Sequence, residues 1–224
     1  MQKSASDITL HAAEADRKAE GRGVGGSSTI SYLLNGNCYL NITSRCTLRC
    51  AFCPKFNGSW EVRDYGLRLR GEPGVEEIVA AAGNPAEYAE LVFCGLGEPT
   101  LRLDVMLEVA RRMKERGARV RVNTDGLANL VHGRDVTPEF AGVVDAISIS
   151  VNAQDEATYE RHCRPRHAGS FAAVLEFARR AHRHVPEVTM TAIDGLEGVD
   201  IAACRDLARR LGVGFRRRVL DVVG

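Results

Sequence analysis

Short apolar runs and amphipathic stretches alternate along most of this chain, and that pattern leaves few architectures open. Residues 38–43, 90–94, 119–123, 146–151, 188–193 and 215–220 read as strands. Residues 75–82, 103–116, 171–182 and 201–211 carry the helical period. Gly117 and Gly212 close the second and fourth helices, and Ser170 is placed to cap the third. Repeated strand–helix units give a parallel sheet with helices packed outside it. Six units are fewer than the eight that close a TIM barrel. The expected fold is α/β, an open partial TIM barrel of (β/α)6 type. Residues 30–34 and 38–43 flank Asn35-Gly36, which predicts a short N-terminal hairpin because both turn residues tolerate positive φ. Residues 1–28 read as a flexible tail ending in a Gly/Ser-rich linker, which leaves 29–224 as one core domain.

The strands are not uniformly apolar. Ser148, Ser150 and Asn152 share one face of their strand, opposite Ile147, Ile149 and Val151. Thr189 and Thr191 alternate with Val188, Met190 and Ala192, and Asn41 and Thr43 with Leu40 and Ile42. A parallel sheet buried on both faces reads as a near-continuous apolar run. One polar face instead predicts a lumen that holds water or a polar ligand.

Composition excludes several classes. A net charge of +1 offers no steering toward nucleic acid. The many arginines lie on helices opposite Glu and Asp and read as solvated faces. No apolar run approaches the ~20 residues of a membrane span, and no signal-peptide segment opens the chain. Seven cysteines, three of them in a metal-type spacing, argue against a disulfide scaffold and for a reduced, cytoplasmic setting.

Those three are Cys46, Cys50 and Cys53, a C-x3-C-x2-C triplet just past the strand at 38–43. A closed zinc site needs four ligands, so Cys38 or Cys94 would have to complete it. A cubane iron–sulfur cluster held by cysteines also takes four. Three thiolates leave one iron open to a ligand that is not protein, and that suits a cluster that performs chemistry.

With Phe52 before its last cysteine, the triplet resembles the signature of the radical SAM superfamily. Asn41-Ile42-Thr43-Ser44-Arg45 leads into it. Phe93-Cys94-Gly95-Leu96-Gly97-Glu98-Pro99-Thr100 resembles the family's Gly-Gly-Glu strand end, with Leu96 in place of the first glycine. Val122-Asn123-Thr124-Asp125-Gly126 lies where the family contacts the ribose or carboxylate of S-adenosylmethionine. Within the superfamily the chain is most similar to small proteins described as TatD-associated.

The resemblance implies a [4Fe–4S] cluster on Cys46, Cys50 and Cys53, with S-adenosylmethionine chelating the open iron. Reductive cleavage then yields a 5′-deoxyadenosyl radical that abstracts hydrogen from a substrate. It also implies an electron donor such as flavodoxin or ferredoxin, and a TatD-family protein as a partner. Phe52 would pack near the adenine edge. Gly95, Gly97 and Glu98 would form the backbone edge that meets the methionine amino group. Asn123, Thr124, Ser150 and Asn152 end strands, where they either contact the cofactor or serve as turn and cap residues. Asp194 either binds ligand or begins a turn.

Cys163 falls in His162-Cys163-Arg164-Pro165-Arg166-His167, read as a loop after a short helix. A hydrogen-atom donor, a metal ligand, a substrate contact and an ordinary loop all remain open for it. Arg164 and Arg166 suit a carboxylate or phosphate. Cys204 shares the apolar face of its helix with Leu207 and Leu211 and reads as core. The sequence stops soon after its last strand, so no auxiliary-cluster domain is expected, and a substrate or partner protein would close the open side. Two other readings stand beside the leading one: an activase or modifier of a partner protein, and a non-catalytic iron–sulfur or zinc module.

Overall fold

The structure is a computed structural model that describes residues 28–220. Of the expected tail over 1–28, only Ser28 falls within it, and its hydroxyl accepts from the Arg70 N–H at 2.9 Å. The remainder of that tail lies outside the described residues.

The hairpin forms as expected. Strands β1 (Ser31–Leu34) and β2 (Asn37–Leu40) pair antiparallel, with Asn35 at φ 50° and Gly36 at φ 74°. A two-stranded sheet, β3 (Glu61–Val62) and β4 (Tyr65–Gly66), follows and had no clear signal in the sequence. The repeating part then runs α1 (Val75–Ala82), β5 (Leu91–Phe93), α2 (Leu103–Glu115), β6 (Val120–Thr124), α3 (Ala128–His132) and β7 (Ala146–Ser150). It continues through α4 (Glu156–Cys163), α5 (Ser170–Ala181), β8 (Glu187–Asp194), α6 (Ile201–Arg210) and β9 (Gly214–Val219). The main sheet has seven strands in the order β1-β2-β5-β6-β7-β8-β9. Every neighbouring pair from β2 to β9 is parallel. The edges β1 and β9 do not meet, so the sheet is an open partial barrel of six parallel strands and a hairpin.

Register separates the two faces. Phe93, Val122, Ile147 and Val188 are successive Cα partners, each no more than 5% exposed. The helices cover this face. Helix α2 supplies Met106, Leu107, Ala110 and Met113, the i, i+1, i+4, i+7 stripe that a core-facing helix requires. Helix α5 supplies Val174, Phe177, Ala178 and Ala181. On the concave face the partners are Asn123, Ser148 and Thr189 in one row, and Ser150, Thr191 and Arg216 in the next. The polar face read from the strand alternation is therefore present and continuous across four strands.

Two local expectations are corrected. Ser170 does not cap α5; it is the first helical residue, and Gly169 at φ 71° is the cap. The Ser170 hydroxyl instead donates back to the His167 carbonyl at 2.7 Å. Cys163 is not in a loop. It is the last residue of α4 and fully buried, and Arg164 behind it takes the left-handed conformation, φ 48°, that ends the helix. The scattered arginines do sit on solvated faces, for example Arg112 on Glu108 at 2.8 Å and Arg179 on Glu176 at 2.7 Å.

Candidate active site at the C-terminal ends of the strands

The chain leaves β2 at Leu40 and enters the loop that carries Cys46, Cys50 and Cys53, all half-buried and none in a disulfide. Backbone bonds fasten this loop from two sides. Arg49 N–H donates to the Cys163 carbonyl at 3.1 Å, Ala51 N–H to His162 at 2.8 Å, and Arg166 N–H to the Thr47 carbonyl at 3.2 Å. From the other side, Glu98 N–H donates to the Arg45 carbonyl at 2.8 Å and the Arg102 guanidinium to Ile42 at 2.8 Å. The loop is thus seated between the end of β5 and the end of α4.

Gly95 and Gly97 allow the first of these contacts. A Cβ on Gly97 would stand 2.8 Å from the Arg45 carbonyl oxygen and closer still to that of Thr43. A Cβ on Gly95 would meet the Asn41 side chain, with its Cγ at 3.0 Å. Both are closer than real Cβ contacts, so the β5 end and the cysteine loop fit together only because two side chains are missing.

Glu98 lies beneath the loop, 3% exposed, with its carboxylate fully engaged. One oxygen accepts from Thr100 N–H at 2.9 Å, the Thr100 hydroxyl at 2.7 Å and the Thr124 hydroxyl at 2.8 Å. The other accepts Asp125 N–H at 2.7 Å. Asp125 in turn accepts Leu127 N–H at 3.0 Å and the Thr47 hydroxyl. Two buried carboxylates therefore tie β5, β6 and the cysteine loop into one unit. Burial, and then the nearby Asp125 charge, push Glu98 up to about 8. Burial raises Asp125 too. Neither Thr47 nor Asp125 stands out singly in the sequence; the Asn-Thr-Asp run at the end of β6 is the signal it offers.

The cysteines lie in one another's electrostatic field, with Cys50 a neighbour of both Cys46 and Cys53. Burial raises the Cys46 and Cys53 thiols. Cys50 is raised first by a hydrogen bond with Cys163 and then by burial. Asp125 and Glu98 add negative charge against a Cys46 thiolate. Thiolate ligands here need the positive charge of a metal centre to form at neutral pH. Among the described residues no group of three or more His, Cys, Asp or Glu is arranged around a single metal ion. Three free, half-buried thiols on one anchored loop fit the donor set of a three-cysteine cluster.

The other predicted residues divide. Asn123 and Ser150 are on the concave face, Asn152 follows the end of β7, and the Asn123 and Asn152 side-chain oxygens are buried without a partner. Asn152 holds the left-handed conformation at φ 56°. Thr124 points to Glu98 instead, its hydroxyl also accepting Gly126 N–H at 3.0 Å. Asp194 shares the outer face with Arg217 and accepts its guanidinium at 2.8 Å. Phe52 is half-buried within the cysteine loop. Cys53 packs into an aromatic cluster built on the hairpin that the sequence did not reveal, with Tyr32 stacked on its cross-strand partner Tyr39 at 5.2 Å and tilted on Tyr65 at 5.2 Å.

This layout was compared with known proteins. The family model for the radical SAM superfamily matches residues 40–211, which covers strands β5 to β8, the cysteine loop and the buried carboxylates. The chain belongs to the radical SAM superfamily. Membership carries the family's two cofactors, a [4Fe–4S] cluster and S-adenosylmethionine. Among curated relatives, the tungsten-containing aldehyde ferredoxin oxidoreductase cofactor-modifying protein of Pyrococcus furiosus is 37% identical over 92 residues, 39% of this chain and 23% of that protein. The probable dual-specificity RNA methyltransferase RlmN of Deinococcus deserti is 29% identical over 144 residues, 60% of this chain and 40% of that protein. The matches thus span less than half the length of either relative. Among solved structures, TYW1 with a lysine-pyruvate adduct bound has a TM-score of 0.61 at 13% identity, over 100% of this chain and 83% of that one. SuiB of Streptococcus suis bound to its precursor peptide SuiA has a TM-score of 0.61 at 11% identity, over 99% of this chain and 46% of that one. At these identities both show the shared fold.

Proposed function

We propose that this radical SAM protein binds its [4Fe–4S] cluster through Cys46, Cys50 and Cys53 and cleaves S-adenosylmethionine there to act on a substrate held in the polar lumen. The observation that carries the reading is the seating of a three-thiol loop at the C-terminal end of the sheet, where α/β folds of this kind place their sites. When bound, the cluster and S-adenosylmethionine supply a 5′-deoxyadenosyl radical; that chemistry belongs to the cofactors.

The protein's own residues do the placing. Gly95 and Gly97 let the β5 end press against the cysteine loop, and Glu98 and Thr124 fix that edge toward the methionine end of the cofactor. Asn123, Ser150 and Asn152 present unspent polar groups to the ribose and carboxylate. Phe52 would pack near the adenine edge of bound S-adenosylmethionine. Asp194 stands outside this set, held by Arg217. An electron donor such as flavodoxin or ferredoxin completes the system in a cytoplasmic setting, and the sequence resemblance adds a TatD-family partner. Among the described residues no helix is long and apolar enough to cross a membrane.

The names of the two curated relatives point to modification of a cofactor and methylation of an RNA, so they favour the modifying class and no one substrate. The test is anaerobic reconstitution followed by electron paramagnetic resonance. A reduced [4Fe–4S] signal that shifts on adding S-adenosylmethionine is expected. A bound zinc ion and no cluster would replace this reading with the metal-binding module.

A further inference from the structure

Three consecutive arginines, Arg216, Arg217 and Arg218, occupy the middle of β9. Strand alternation divides them. Arg217 is in register with Ala192 on the outer face and pairs there with Asp194. Arg216 and Arg218 are in register with Thr191 and Ile193 and face the lumen. Among the described residues, neither has a carboxylate or other hydrogen-bond partner.

The other lumen arginines differ. At the opposite end of the strands, Arg119 pairs with Glu90 at 2.9 Å and with Glu187 at 2.8 Å, and Arg121 also pairs with Glu90. The positive charge at the N-terminal end of the strands is neutralised, while that on the wall β9 contributes is not. Arg218 is half-buried, and burial lowers its guanidinium from the usual value. Of the titratable groups near it, Cys94 at the end of β5 opposes that shift and Arg216 adds to it. Arg218 therefore reaches into the lumen toward the strand that precedes the Gly95-Leu96-Gly97-Glu98 edge.

A second observation is independent of charge. The Thr191 hydroxyl, in a side chain 2% exposed, has no hydrogen-bond partner. Thr191 is the register partner of Arg216 on one side and of Ser150 on the other. A buried hydroxyl without a partner calls for a ligand or water. Residues i and i+2 of a strand are roughly 6.5 Å apart. Two guanidinium forks at that spacing repel each other and flank a gap suited to one oxyanion, whose oxygens accept from both.

We propose that Arg216, Arg218 and Thr191 form an anion subsite that holds a carboxylate or phosphate group of the substrate. The word substrate rests on the radical SAM reading; the binding itself does not. The rival source of a carboxylate is S-adenosylmethionine, and the experiment separates the two.

Full-length protein without iron is titrated with inorganic phosphate and with succinate, at ionic strength held constant with chloride, and followed by thermal unfolding. The expected result is a saturable rise in Tm with one or both anions. The apparent affinity should fall at least tenfold in R216Q/R218Q, stay unchanged in R217Q, and lie between in R218K, which keeps the charge without the fork. No saturable rise in the native protein, or a rise that survives in R216Q/R218Q, overturns the subsite. In cluster-loaded protein, calorimetry should find S-adenosylmethionine binding within threefold of native in R216Q/R218Q. A tenfold loss there would assign the arginines to S-adenosylmethionine and overturn the substrate claim. Because the anion titration uses neither iron nor S-adenosylmethionine, a failure of the proposed cleavage would leave its result intact.

Discussion

The Thr47 hydroxyl, one residue past Cys46, donates to the buried Asp125 carboxylate at the end of β6. Asp125 N–H donates at 2.7 Å to Glu98, whose own N–H holds the Arg45 carbonyl at 2.8 Å. The cysteine loop is therefore positioned by a closed ring of hydrogen bonds through two neighbouring strands, not by its own turns alone.

Breaking that ring should loosen the loop. Thr47→Val keeps the shape and removes the donor, leaving an Asp125 oxygen short of a partner. A loss of about 1–3 kcal/mol is expected from a buried acceptor so deprived. Urea unfolding reads the stability, and iron per chain after reconstitution should fall alongside it. Full iron loading with native stability would show that the ring does not position the loop.

The buried carboxylate also sets a pH dependence. Glu98 has its pKa raised to about 8 in the fold from an ordinary 4.5. The folded state therefore holds a proton that the unfolded chain has released. Stability from this group is full below the unfolded value and is lost as pH rises through about 8, at up to about 1.4 kcal/mol per pH unit. Unfolding free energies of the iron-free protein between pH 5.5 and 8.5 should decline. Glu98→Gln should flatten the decline while lowering stability overall, because its NH2 would face the Asp125 N–H. An unchanged slope in that variant would assign the pH dependence elsewhere.

Gly97→Ala should be worse than Gly95→Ala. The first drives a methyl group into the backbone carbonyls of Thr43 and Arg45; the second meets only the side chain of Asn41. Overpacking of this kind costs about 1–3 kcal/mol. A Tm drop in Gly97→Ala, with poorer cluster retention, is expected. Equal effects at both positions would mean that the backbone yields as readily as the side chain.

Cys163 lies near enough to Cys50 to raise its thiol, and it donates to the Val151 carbonyl at 3.8 Å. Its place at the end of α4 suits packing against the loop, so Cys163→Ala should keep full iron loading. Truncating so small a buried side chain should cost on the order of 1 kcal/mol. Loss of the cluster in this variant would instead make Cys163 a fourth ligand.

The sheet, its hairpin and its polar face were readable in the sequence because each rests on local rules: Asn35-Gly36 at the turn, Ile147 and Ile149 against Ser148 and Ser150. The cysteine triplet was readable because its spacing is chemically restrictive. Features that depend on distant residues were not. Thr47 and Asp125 meet across 78 positions. The burial of Cys163 depends on where α4 docks, and the failure of Ser170 to cap on the left-handed turn at Gly169. Arg216 and Arg218 sit in a run of three arginines, and which of the three face the lumen is settled only once β8 fixes the register of β9.

The central claim is that Cys46, Cys50 and Cys53 hold a cluster that cleaves S-adenosylmethionine. The most direct measurement is 5′-deoxyadenosine formed by anaerobically reconstituted, dithionite-reduced protein, beside the Cys46→Ala/Cys50→Ala/Cys53→Ala variant. The account predicts product that accumulates with time in the native protein and none in the variant. Product from neither, or equal product from both, would contradict it.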